Sequence, residues 1–264
     1  GLTHSGIVSR TVRDTAHMYD NLFGNSVGDP YGVHYEKGSL IKALNQKKKL
    51  KIGFNLISPV GINPSNDAIE AIKFNANLCE SLGHDVEEMS LNYDGLLASR
   101  AFTIIITSHV SQMFNELKDI VGRRYRKKEV ETTTRLFDYL GKSYRASDYT
   151  WARYTMQSIA RKVMQDTDKY DVVLTPIISQ PPPQLGEIRP DSRSRLISEI
   201  IMSLRLGFIF RIKPIRDAIL NTLAPQSLWY APDAMLQNIT GQPAISIPTY
   251  WTDNDIPLGV QYTS

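Results

Sequence analysis

The 264 residues predict an α/β protein, with a mixed β-sheet core flanked by helices. Three observations carry that expectation. "LKIGFNL" (Leu50–Leu56) and "YDVVLTP" (Tyr170–Pro176) are short apolar runs of the kind buried inside a sheet. Long segments with apolar residues at three-four spacing separate them, as amphipathic helices require. A hydrophobic content of 42% with 22% charged residues is that of a globular chain, not a disordered one.

Taken in order, "TVRDTAHMYDNLFG" (Thr11–Gly24) reads as a helix. Thr11 and Asp14 have capping-box spacing; Val12, Ala16, Tyr19 and Phe23 share a face; Gly24 supplies a stop. A loop, Asn25–Tyr35, follows. Leu50–Leu56 is a buried strand. The next helix is expected from Pro64 to Leu82, capped by Asn63, with Ala68, Ile72, Ala76 and Cys79 facing inward and Gly83 ending it. "HDVEEMS" (His84–Ser90) alternates as a strand. Strand, helix and strand over about forty residues form a βαβ unit, so these two strands should be parallel neighbours.

A long helical region covers Tyr93–Val121, and its apolar spacing assigns Ile106, Val110, Met113, Leu117 and Ile120 to the buried side. Further helices are expected at Glu129–Leu140 and Ser147–Thr167, the latter burying Ala152, Met156, Ile159 and Val163. After the strand at Tyr170–Thr175 comes a proline-stiffened loop holding Pro181–Pro183. Helices follow at Arg193–Phe210, Ile215–Leu223 and Ala231–Ile239. The chain closes with two strands, "AISIP" (Ala244–Pro248) and "LGVQYT" (Leu258–Thr263).

Composition excludes several functions. The net charge of +3 is mild, and the basic clusters Lys47–Lys51 and Arg123–Lys128 belong to no nucleic-acid recognition module. The single cysteine, Cys79, rules out an internal disulfide and reads as a small core residue of a protein in a reducing, cytoplasmic setting. No apolar run is long enough to span a membrane. His4, His17, His34, His84 and His109 are scattered without ligand spacing, so no metal is expected, and no glycine-rich phosphate loop announces a cofactor.

Two letter patterns for nucleophiles fail on context. "GNSVG" (Gly24–Gly28) matches the nucleophile elbow, but a helix precedes Ser26 and a loop follows, where the elbow needs a strand and then a helix. "SLIK" (Ser39–Lys42) lacks its companion motifs. Ser108 and His109 are adjacent on a helix and point about 100° apart, so they cannot readily pair. The Asn238–Thr240 sequon reads as structural. No catalytic residue is assigned from these patterns.

Several ordered segments resemble the amidase signature family of serine amidohydrolases. "GIVSRTVRDTAHMYDNLFG" resembles the helix after that family's signature region, with "DPY" shortly beyond. "KIGFN" and "ESLGHDVEE" resemble its next strand and helix-to-strand passage. "SDYTWARYTMQSIARKVMQDTDKYDVVLTPIISQPPPQLGEI" resembles its late helix and strand, and "NITGQPAISIPTYWTDNDIPLGVQYTS" its closing block. The "PPP" loop and the Trp251–Ile256 turn look like the branch containing 6-aminohexanoate cyclic dimer hydrolases.

The resemblance implies hydrolysis of carboxamides by a Ser–cis-Ser–Lys triad with a glycine/serine-rich oxyanion loop. In that family these groups precede the "SRTVRD" helix. Residues 1–264 are therefore read as the C-terminal portion of one amidase domain. The first residue is Gly1, not Met, and the chain by itself is expected to be an inactive fragment. Its catalytic set within these residues is none. Asn238 and Gln242 are the candidate hydrogen-bonding groups for substrate, and Trp229 and Tyr230 the candidate apolar wall. Gly241 should permit a tight turn. The lead-in "DAMLQ" (Asp233–Gln237) departs from the family's F-T-P-like pattern. The expected partner is a small-molecule amide, with no nucleic acid and no membrane; a homo-oligomer is compatible with the same reading. The rival is a non-catalytic remnant acting as an interaction module.

Overall fold

A computed structural model describes residues 3–29, 36–187, 199, 202 and 206–264. His34 and most of the helix expected at Arg193–Phe210 lie outside the described residues. The chain divides into two compact units, residues 3–49 and residues 50–264.

The first unit holds two helices, α1 (Val12–Leu22) and α2 (Ser39–Ala43). Thr11 caps α1 by accepting from the Asp14 amide at 3.0 Å. The buried carboxylate of Asp20 accepts from Leu40 N (3.2 Å) and Ile41 N (3.0 Å), two amides of the first turn of α2. That satisfies donors the short helix cannot pair internally. Ser26 lies in a loop, its amide donating to Asp29, so the nucleophile-elbow geometry is absent there.

The second unit is built on a five-stranded sheet in the order β2-β1-β3-β5-β4 among the described residues. β1 is Lys51–Phe54, β2 Asp85–Glu88, β3 Val172–Pro176, β4 Ala244–Trp251 and β5 Pro257–Thr263. β1 pairs in parallel with both β2 and β3, whereas β5 runs antiparallel to both β3 and β4, so the sheet is mixed as expected. Between β1 and β2 runs α3 (Asn66–Ser81), which covers one face. Ile52, Ala71, Ile72, Cys79, Leu174, Leu258 and Val260 form the core there. Asn75, fully buried, joins that helix to the sheet: its Oδ1 accepts from Thr249 Oγ1 and Tyr262 Oη, both at 2.6 Å.

The helix start differs from expectation. Ser65, not Asn63, caps α3, accepting from Ala68 N at 3.2 Å, and Pro64 lies outside the helix. Ser65 is extended at ψ 162°, the backbone state of an N-cap.

The opposite face is packed by helices α4 (Gly95–Val121), α5 (Thr132–Gly141), α6 (Ala146–Thr167), α7 (Lys213–Leu228) and α8 (Leu236–Thr240). Residues 231–235, expected to be helical, precede α8 as turns. Its core joins Val60, Leu91, Tyr93, Ile159, Val163, Val173, Leu228, Met235 and Leu236. Arg216 of α7 is buried against the α5–α6 corner. It donates to Ser143 O and Asp148 Oδ2, both at 3.2 Å, and stacks 5.0 Å from the Tyr144 ring.

The main correction concerns α4. Met113, Leu117 and Ile120 are 43%, 42% and 80% exposed, so the apolar stripe chosen from periodicity faces away from the packed helices. The buried ridge on another side is instead Gly95, Ser99, Thr103, Thr107 and Ser111, at i, i+4 spacing. Ser99, Thr103 and Thr107 each donate to the carbonyl four residues back at 2.7–2.8 Å, so these three hydroxyls enter the interior paired. Small side chains let α5 come close: a Cβ on Gly141 would sit 2.1 Å from Thr107 O. Gly141→Ala should therefore destabilise the protein by about 1–3 kcal/mol through overpacking, whereas alanine ordinarily strengthens a helix relative to glycine. Urea melts of the two proteins give the sign directly.

Candidate functional site

The parallel strands β1, β2 and β3 all deliver their chain ends to one edge of the sheet, where open α/β sheets place ligands. Ser179, buried just beyond β3, ties that edge together. Its amide donates to Tyr230 O (2.8 Å), its hydroxyl to Trp229 O, and its carbonyl accepts from Ser65 N (2.7 Å). Gln180 Nε2 reaches Asn63 O at 3.1 Å. Three segments with no local reason to meet are thereby held in register: the exit of β1, the exit of β3 and the end of α7. Trp229 and Tyr230 stand edge to face, 5.8 Å apart and half-buried. Burial, and secondarily the charge of Glu187, raise the Tyr230 pKa.

Asp233 follows in the same segment and is 0% exposed. Neither carboxylate oxygen has a hydrogen bond of ordinary geometry, nor does the buried Tyr93 hydroxyl. Burial pushes the Asp233 pKa up to about 6, with Ser58 pulling the other way. Tyr93 is raised as well, by burial first and then by the Asp233 charge.

Asn238 and Gln242 stand elsewhere. Asn238 Nδ2 donates to Ala234 O at 3.4 Å, and the Gln242 amide to Thr240 Oγ1 at 3.3 Å. Gly241 ends α8 with φ +77°, the left-handed state that favours glycine. Gln242 precedes Ala244, which is level with Thr263 and so with Val173 at the start of β3. Trp229 and Tyr230 are held where β3 has ended. The structure thus puts the two candidate pairs at opposite ends of the sheet.

Between them runs a polar row. Thr175, Gln261 and Ser246 share one register across β3, β5 and β4, and Gln261 Nε2 donates to Thr175 Oγ1 at 3.1 Å in the interior. Ser246 Oγ occupies the space a Cβ on Gly259 would need, 2.4 Å away. The neighbouring Ala244, Ser246 and Pro248 are exposed, so β4 is covered on one face only.

Ser108 and His109 do not pair, as their adjacent helical positions require. Here Ser108 Oγ donates to Ile104 O and His109 Nδ1 meets Ile105 O, each engaged with its own helix turn. In the basic cluster, Arg123 forms a paired contact with Glu129 (2.8 and 2.9 Å) and Lys127 an ion pair with Glu199 (2.6 Å). Sequence reasoning missed Ser179, Ser58 and Tyr93. Only Asp233 carried a signal, as part of the departing lead-in.

No helix among the described residues is long and apolar enough to cross a membrane. The family model for amidases matches residues 1–209. The 6-aminohexanoate-cyclic-dimer hydrolase of Pseudomonas sp. (strain NK87) is 24% identical over 279 residues, covering 99% of this chain and 50% of that protein. A solved 6-aminohexanoate cyclic dimer hydrolase superposes with a TM-score of 0.74 at 21% identity, covering 97% of this chain and 50% of the other. A bacterial aryl acylamidase of the amidase signature family gives 0.69 at 18%, covering 97% and 48%. The chain spans about half the length of the relatives it matches. It belongs to the amidase family.

Proposed function

We propose that these residues form the C-terminal part of an amidase that hydrolyses carboxamide bonds through a serine acyl-enzyme. On this reading the Ser–cis-Ser–Lys triad belongs to the portion of the relatives that the chain does not span. The lysine acts through the bridging serine as base, and backbone N–H groups stabilise the oxyanion. The present residues brace that machinery and line the pocket for a small linear or cyclic amide. Trp229 and Tyr230 supply an apolar wall; Asn238 and Gln242, the hydrogen-bonding candidates of the sequence, stand at the other end of the sheet and are not part of that wall. Cytoplasmic placement and a single domain for residues 1–264 belong to the same proposal.

The observation that carries this reading is β4. Eight residues long and without a charge, it pairs with β5 alone among the described strands, and the Ala244–Ser246–Pro248 face lies bare. An uncharged, uncovered strand on a sheet edge is a surface that a second layer and strand would complete.

Purified residues 1–264 should release no product from linear or cyclic amides. A product extended upstream, if it contains an in-frame lysine and a glycine/serine-rich run with two serines, should be active. A stop codon directly upstream would favour the non-catalytic remnant instead. In the active product, Trp229→Ala should raise KM about tenfold or more while kcat changes less, since an apolar wall binds ground and transition states alike. The isolated chain should self-associate in size-exclusion chromatography, and Ala244→Lys should shift it toward monomer by placing a charge on the open strand.

A further inference from the structure

Asp233 raises a question that the amidase reading does not answer. A carboxyl group fully removed from water ordinarily has a cation or several donors around it. Here it has Ser58 and Tyr93. It lies between Leu228 and Met235, both members of the apolar core that also contains Tyr93, Val60 and Leu236. Among the described residues, the two loops and the helix α6 around it offer no compensating charge. The loop Asn55–Ser65 carries no titratable residue. In the loop Met89–Asp94, Tyr93 faces it, while the Asp94 carboxylate is occupied with Leu97 N at 2.8 Å. On α6, Asp166 is occupied with Asn92 N at 2.8 Å. On α4, Arg100 Nε is buried without a hydrogen-bond partner, and among the described residues no lysine, arginine or histidine contributes to holding the Asp233 charge.

We infer that Asp233, Tyr93 and Ser58 form a proton-dependent latch: the neutral acid lets the Trp229–Thr240 segment pack as observed, and loss of that proton to solvent releases the segment. Asp233 is on this account a positioning residue. It touches no substrate and acts through Trp229 and Tyr230, four and three residues before it, and through α8 just after it. The inference concerns the chain's own fold and stands independently of the amidase reading.

The direction follows from linkage. The carboxyl holds its proton more tightly in the closed segment, up to about 6, than in an open, solvated one near its ordinary 3.8. The closed form is therefore at full strength below the ordinary value and weakens as pH rises through about 6. A separation of about two units corresponds to roughly a hundredfold change in the opening equilibrium.

Hydrogen exchange on residues 1–264 tests this. Between pH 5 and pH 7.5, after correction for intrinsic rates, amides of Trp229–Thr240 should lose about tenfold in protection, the part of the change that falls in this window, while those of α3 hold steady. Asp233→Asn, which keeps shape and removes the charge, should abolish the pH dependence. Constant protection in the unaltered chain, or the same loss in Asp233→Asn, would overturn the latch. Should Asp233→Asn fail to fold, a carbon-13 NMR titration of the Asp233 carboxyl decides. A midpoint near 6 that moves upward in Ser58→Ala supports the latch, because the Ser58 hydroxyl favours the charged form. An ordinary midpoint below about 5, or one unmoved by Ser58→Ala, overturns it.

Discussion

β3 is where the two kinds of strand pairing in this sheet meet, and most of the second unit is arranged around it. Val173 and Leu174 are buried on opposite faces, one in each core, and the strand bonds in parallel to β1 on one side and antiparallel to β5 on the other. A strand buried on both faces must be apolar throughout, and "VVLTP" is nearly so. Its one polar side chain, Thr175, is buried with Gln261 as hydrogen-bond partner. With β3 in place, α3 has one face to cover and the helical layer the other.

Polar groups then set the finer positions. Ser179 uses its amide, hydroxyl and carbonyl to hold three chain segments at the exit of β3, and Asn75 joins one helix to two strands. Neither contact supplies much net energy, since each replaces hydrogen bonds to water. Their value lies in direction: once these groups are buried, any other arrangement would leave them unpaired. Asp233 is the exception, a buried acid with little to meet it, and it sits in the segment that carries Trp229 and Tyr230.

Much of the fold was legible along the chain because its signals are local. Thr11 caps α1 as spacing requires, and Gly241 takes the left-handed turn. The βαβ unit is parallel, and the inner face of α6 is Ala152, Met156, Ile159 and Val163. The side of α4 that is buried was not legible. Hydrophobic periodicity weighs Met113, Leu117 and Ile120 heavily, but close helix packing rewards small residues, and Ser and Thr can enter an interior by bonding to their own helix. The family was legible in ordered motifs, while the separation of Trp229 and Tyr230 from Gln242 was not, because strand register across β3, β5 and β4 decides it.

By itself the sequence determined the class of fold, the family, and most of the strands and longer helices, since apolar period, caps and turn residues act over a few neighbouring positions; it did not show the short α2, nor the five-residue offsets at the end of α7 and the start of α8. Tertiary structure alone decided which helix faces are buried, that β4 stands with one face bare, and that Ser58, Tyr93, Ser179 and Asp233 converge at the ends of the parallel strands. Those outcomes depend on contacts between residues far apart in the chain, such as Asn75 and Tyr262 at a separation of 187 positions, and no short-range preference encodes such a distance.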